Sequence, residues 1–204
     1  MTNELIQAVE RANSSESLFT AVRELAAARQ EEGISTLIKI LGYNNPSAAI
    51  AAVQGLVELG EVAVPALLEQ IDGYDYGARA WSHRALAKIG DPRALDTLTE
   101  AAISDFALSV RRAAAKGLGS MNWAKLADAE VLAAQTKALE SLLKVCQDSE
   151  WVVRYAAVVG LQGLVVSQPE FEAKIVAQLQ QIVDTDEELS VKARAKFALE
   201  QIKN

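Results

Sequence analysis

The sequence predicts an all-α fold, an α-solenoid in which helical hairpins stack as a superhelix, and three observations predict it. One short pattern returns along the chain: a branched apolar residue or Ala, then Arg or Lys, then small residues, then Leu. It reads Ala78-Arg79 to Leu86, Val110-Arg111 to Leu118, Val153-Arg154 to Leu161 and Val191-Lys192 to Leu199, with a weaker copy from Ala48-Ala49 to Leu56. The offset to Leu is eight every time, while the gaps between the Leu residues are 30, 32, 43 and 38. A fixed unit with variable joints marks a repeat protein. The second observation is period: Val110, Ala113, Ala114, Gly117 and Leu118 fall at i, i+3, i+4, i+7 and i+8, one stripe of an α-helix. The third is composition, since Ala and Leu dominate and only four prolines occur in 204 residues.

The chain is read as one domain, 1–204, in which each unit is a pair of antiparallel helices. Thr2–Ala12 and Ser17–Gln30, separated by Asn13-Ser14-Ser15, form an N-terminal cap over residues 1–30. Unit one (33–59) pairs Gly33–Leu41 with Pro46–Leu59, and unit two (62–89) pairs Val62–Ile71 with Tyr76–Ile89. In unit three (92–118), Asp91-Pro92 opens the first helix, with Pro in the first turn where its missing N–H costs nothing. Leu95, Leu98, Ala102 and Ile103 mark its apolar face, Ser104-Asp105 ends it, and the second helix runs from about Ala107 to Leu118 with Gly119 as its stop. Unit four (129–166) pairs Ala129–Gln147 with Glu150–Val166, and unit five (169–202) pairs Pro169–Val183 with Glu188–Ile202. The joint over 119–128 is longer than the others and is either a contact region or a tolerated insertion.

Two columns have packing explanations. Gly55, Gly117 and Gly160 each precede the stripe Leu, in mid-helix, where glycine costs roughly 1 kcal/mol relative to Ala. Units two and five have Ala85 and Ala198 there, so the column implies close helix–helix approach. Arg79, Arg111, Arg154 and Lys192 lie at the first turns of their second helices. Asp105, Asp148 and Asp186 lie five residues before the stripe in units three to five, and Asp75 three before in unit two. Such Arg and Asp residues are expected to pair as a ladder between adjacent units.

Composition excludes several classes of function. A net charge of −7 argues against a nucleic-acid partner. No apolar run reaches the length of a bilayer span, so no membrane partner is expected. Met1-Thr2-Asn3-Glu4 lacks a basic region ahead of an apolar stretch, so no secretory signal is expected. The single Cys146 forbids an internal disulfide and fits a reducing compartment, which makes the cytoplasm the expected location. One His and one Cys make no zinc site, and no phosphate loop or Gly-x-Ser-x-Gly elbow occurs, so neither a metal nor a resident cofactor is expected. Cys146, near a helix C-terminus, reads as a core residue.

Unit two breaks the template. Over Asp72–Arg84 it gathers Tyr74, Tyr76 and Trp81, three of the eleven aromatics, with His83, the only histidine. Trp81 stands where units one, three and four have Ala51, Ala113 and Ala156. Arg79 and His83 are i and i+4 on one helix face. A flat, conjugated, anionic ligand would use stacking on the rings, a charge-assisted hydrogen bond from Arg79 and proton exchange with His83. The structural alternative is that Trp81 fills a gap and His83 is solvated. A second pair, Trp151 and Tyr155, flanks Arg154 in unit four, either extending a binding surface or packing between helices.

Val-Arg-Arg-Ala-Ala-Ala-Lys-Gly-Leu-Gly (Val110–Gly119) and Ala85–Ala94 resemble the HEAT-like repeats of the cyanobacterial E/F-type phycobilin lyases. Asp72–Trp81 followed by Gly90–Leu98 is similar to the smaller, F-type subunits of that family, and length and unit count match them over nearly the whole chain. The resemblance implies half of a heterodimeric enzyme. Together with an E-type subunit it would bind phycocyanobilin and attach it by a thioether to a cysteine of the phycocyanin α subunit, the bilin being a transferred substrate. Family members that also isomerise the bilin carry a His-Cys pair in the region matching Tyr74–Ala80, and this sequence has neither residue there, which implies a plain lyase.

Under that resemblance Arg79, Arg84, Arg111 and Arg154 are candidates to pair with bilin propionates, and Tyr74, Tyr76, Trp81 and Trp151 to cover the conjugated plane. Asp75 would accept from pyrrole N–H groups, and His83 would assist protonation during thiol addition. The alternatives are a phycobilisome-degradation adaptor that attaches nothing and a generic HEAT scaffold for binding other proteins.

Overall fold

The computed structural model describes residues 2–71 and 76–203, with the side chains of all of these but Tyr76 and Lys203. Twelve α-helices and no strand occur among the described residues. The contacts divide the chain into two compact units, Met1–Ile89 and Gly90–Asn204.

The first unit contains α1 (Thr2–Arg11), α2 (Ser15–Ala28), α3 (Ile34–Leu41), α4 (Pro46–Leu59), α5 (Val64–Ile71) and α6 (Tyr76–Ile89). α2 begins two residues before the expected Ser17 because Ser14 caps it. Ser14 Oγ accepts the Ser17 N–H at 3.1 Å while Ser17 Oγ accepts the Ser14 N–H, a reciprocal box that fixes the start. Asn45 caps α4 by accepting the Ala48 N–H, with Pro46 in the first turn. The stretch Pro46–Ile71 is, by length and composition alone, apolar enough to cross a membrane, against the expectation that no run reaches that length. It is broken at Gly60, where φ is +72°, into helices of 14 and 8 residues joined by a 3-10 turn. The second helices α4 and α6 pack on each other, and α3 and α5 flank them. The core runs through Leu25, Leu37, Leu56, Leu67 and Leu86, each within 1% of complete burial.

The second unit contains α7 (Leu95–Ser104), α8 (Leu108–Leu118), α9 (Asp128–Val145), α10 (Trp151–Ser167), α11 (Glu172–Thr185) and α12 (Leu189–Lys203). α8, α10 and α12 stack in succession, and α7 packs on α9. Small residues permit this. A Cβ on Gly160 would strike the Ala115 carbonyl oxygen, one on Gly119 the Gly160 carbonyl, and one on Gly163 the Gly119 carbonyl. Gly119 is the stop of α8, as expected, with a φ of −82° that is open to any residue, and its missing Cβ also serves the close approach of α10.

The long joint is folded rather than free. Met121 and Trp123 are buried, the Asn122 N–H donates to the Gly90 carbonyl at 2.7 Å, and Lys125 Nζ reaches Asp91 Oδ2 at 3.2 Å. Asp91, with a 3% exposed side chain, also receives both the Arg93 guanidinium and the Arg93 N–H. The hydrogen bonds from Arg93 hold its carboxyl far below the usual carboxylate range. The insertion is thus a buttress for the Gly90–Arg93 turn.

Candidate functional site

In the first unit the candidate residues sit on α6. Tyr74 and Asp75, and the side chain of Tyr76, lie outside the described residues. His83 is buried, 2% exposed, so the alternative that it is solvated is wrong. Its Nδ1 lies 2.8 Å from the Arg79 carbonyl oxygen. A carbonyl only accepts, so Nδ1 carries the proton and donates one turn back along its own helix. Any exchange of a proton by neutral His83 would pass through Nε2. Trp81 is half-buried, and the exposed Arg84 places its Cζ 5.3 Å from the Trp81 ring centroid. Arg79 is half-buried one turn before His83. α6 thus carries two cations, an indole and a buried imidazole.

In the second unit the arginine ladder forms. Arg154 Nε and Nη2 donate to Asp186 Oδ2 and Oδ1 at 2.8 and 2.9 Å, a bidentate pair, and Nη1 donates to the Asp148 carbonyl at 3.0 Å. Arg111 repeats this one repeat earlier. Its Nε lies 2.9 Å from Asp148 Oδ2 as an ion pair at an angle poor for a hydrogen bond, Nη2 donates to Oδ1 at 3.3 Å, and Nη1 to the Asp105 carbonyl at 2.7 Å. Each acid also closes an Asx-turn ahead of the helix after it: Asp105, Asp148 and Asp186 accept the N–H groups of Ala107, Glu150 and Glu188. The Arg154 pair pulls the Asp186 carboxyl below its ordinary range and raises the Arg154 guanidinium. These forks are occupied, which corrects the expectation that Arg111 and Arg154 are available to a ligand carboxylate.

Trp151 opens α10 with 43% of its surface exposed, so the interior-packing alternative does not describe it. Tyr155, one turn on, is half-buried. Sequence reasoning missed Arg194 on α12. It donates from Nη2 to Gln162 Oε1 on α10, and its Cζ lies 5.3 Å from the Phe197 centroid. Burial lowers its pKa from the ordinary arginine value. The signal that reveals it is the Trp81 column, where unit five has Arg194 in place of Ala. Cys146 is buried, and desolvation followed by the nearby Asp186 charge pushes its thiol up to about 12.

The fold and these columns define a class, and comparison with known proteins names it. A family model described as HEAT repeats matches residues 2–82 and 64–162. The chain is 55% identical over 201 residues, 98% of its length and 100% of the other's, to "Phycocyanobilin lyase subunit beta" of Nostoc sp. (strain PCC 7120). It is 50% identical to "Phycocyanin alpha phycocyanobilin lyase CpcF" of Synechocystis sp. (strain PCC 6803), over 97% of this chain and 92% of that one. It superimposes with a TM-score of 0.79 and 56% identity on a chain of "the complex of CpcE and CpcF of phycocyanin lyase" from Nostoc sp. PCC7120, covering 83% of this chain and 99% of that one. The chain is a HEAT-repeat protein and belongs to the family of phycocyanobilin lyase β subunits.

Proposed function

We propose that this chain is the β, or F-type, subunit of a phycocyanobilin lyase. With an E-type partner of the CpcE kind it attaches phycocyanobilin by a thioether to a cysteine of the phycocyanin α subunit. The observation that carries this reading is the 55% identity over 98% of the chain to a β subunit of such an enzyme. The physical chemistry agrees with it. The reaction is an addition: the acceptor's sulfur bonds to the bilin, the thiol's hydrogen ends on the conjugated system, and nothing leaves. The nucleophile belongs to the acceptor, and the lone thiol here, buried and raised to about 12, is not suited to compete with it.

The chain's task is then to hold the bilin in one geometry and to keep water and wrong thiols away. Trp81 would cover the conjugated plane, with Tyr74 and Tyr76 beside it in sequence, and Asp75 would receive pyrrole N–H groups. Arg79 and Arg84 would meet propionates. His83 would assist protonation through Nε2, since Nδ1 is bound to the Arg79 carbonyl. Phycocyanobilin is substrate, no resident cofactor is invoked, and the cytoplasm is the proposed location.

The test is co-expression of this chain, a cognate E-type subunit and the phycocyanin α subunit in a bacterium that makes phycocyanobilin. Bilin on the denatured α subunit is read by zinc-enhanced fluorescence. Labelling is expected only when this chain is present. Labelling that is equal without it would refute the lyase reading in favour of an adaptor.

A further inference from the structure

The second unit holds an arginine whose fork is only partly filled. Arg194 Nη2 is bonded to Gln162, but Nη1 is buried with no hydrogen-bond partner. A buried charged donor left without an acceptor is costly, and native structures rarely keep one without a use. Arg154 makes the contrast, because the same kind of fork two helices away is closed by a carboxylate on one side and a carbonyl on the other.

The position in the repeat is a second observation. Three residues into the stripe, the five units carry Ala51, Trp81, Ala113, Ala156 and Arg194. Six residues in, they carry Gln54, Arg84, Lys116, Val159 and Phe197. In units two and five a guanidinium lies 5.3 Å from an aromatic centroid across these same two columns, in opposite order: Arg84 on Trp81, and Arg194 on Phe197. The repeat places the same pair of chemistries twice, at sites where the other units have nothing of the kind.

We propose that Arg194 binds a carboxylate, namely a propionate of the bilin, on the face formed by α10 and α12. The proposal rests on the lyase reading above. Trp151, Tyr155 and Gln162 fall on one stripe of α10, and Gln162 touches Arg194, so an extended planar conjugated acid held by the guanidinium can run along that stripe over the aromatic side chains. Phe197, 52% exposed, lies over the guanidinium, so the aromatic side chain on that side of the fork can turn away without moving a helix. Gln162 offers only a single neutral amide oxygen, whereas a carboxylate brings the opposite charge and two oxygens that match the guanidinium fork.

The test uses the complex of this chain with its E-type partner, titrated with phycocyanobilin and with its dimethyl ester by absorbance. Arg194→Gln should weaken binding of the free acid by on the order of 10- to 100-fold and leave the ester unchanged, so the preference for acid over ester falls by that factor. Arg194→Lys, which keeps the charge but not the fork, should fall between. Because acid and ester are compared on the same protein, a general loss of stability does not imitate the result. An unchanged acid-to-ester preference in Arg194→Gln would overturn the assignment. So would an unchanged preference with dissociation of the complex, which would give the carboxylate to the partner subunit. Wild-type complex that binds neither compound would refute the lyase reading itself.

Discussion

Removing Asp186 tests whether the ladder holds the second unit together. The Asp186 side chain is 6% exposed and Arg154 is 17% exposed, so the pair sits where one partner's loss leaves the other charge poorly solvated. Breaking a buried pair from one side costs about 3–5 kcal/mol. Arg154 keeps its bond to the Asp148 carbonyl and some water, which places this case near the bottom of that range. Asp186→Ala also removes the acceptor for the Glu188 N–H, a turn hydrogen bond of about 1 kcal/mol. The expected loss is therefore about 3–4 kcal/mol. Asp96, 83% exposed and paired with Lys137, is the control, and Asp96→Ala should cost about 0–1 kcal/mol.

Native-state hydrogen exchange of the α10 and α12 amides is the assay, because it reads the second unit without requiring the whole chain to unfold in one step. Protection there should fall on the order of several hundred-fold in Asp186→Ala and by no more than several-fold in Asp96→Ala. The pH dependence has a fixed sign. The folded Asp186 pKa is depressed, so its stabilisation is present above the unfolded value of about 3.9 and is lost as pH falls through the folded pKa. The difference between wild type and Asp186→Asn should shrink as pH drops from 7 into that window. Equal costs for Asp186→Ala and Asp96→Ala would refute the ladder as a source of stability.

Gly160→Ala forces a methyl group against the Ala115 carbonyl and should cost at least about 2 kcal/mol in urea unfolding, whereas Gly60→Ala meets no atom within 4 Å and is strained only by its φ of +72°. Cys146 should resist a thiol reagent at pH 8 in the native protein and react on denaturation; prompt native reaction would contradict its burial. Arg79→Ala with Trp81→Ala should lower bilin transfer more than it lowers heterodimer stability, read by co-expression labelling and by size-exclusion chromatography, and equal losses would remove α6 from the site.

Much of this was legible because the repeat writes the same instruction several times. Pro46 and the Ala–Gly–Leu stripe place α4, and the Arg and Asp columns announce the ladder. The short 3-10 turns that open several first helices, such as Pro92–Ala94 and Pro169–Phe171, were not legible, because three residues carry too little period to separate them from an α-turn. Gly119 is legible as the stop of α8, but only the neighbouring helix reveals that its missing Cβ also permits close approach. The burial of His83 is not legible in sequence, because a lone histidine in a polar-looking segment carries no sign of which way its ring turns.

Arg194 shows what column comparison can and cannot do. Read along its own helix, it is one more cation among Lys192 and Lys196, and solvated cations on a helix are common. Read down the column, it is a break at the same place as Trp81, and the break is informative because the three other units keep Ala there, buried at Ala51 and Ala156. A large residue at such a position must either fill space or meet something. The structure separates the two: Arg194 keeps a donor buried and unsatisfied, which filling space does not require. Satisfying that donor from within the chain would have needed only an acid nearby, as Asp186 does for Arg154. The acceptor is therefore most economically supplied by a ligand, and the acid-to-ester comparison decides whether that ligand is the bilin.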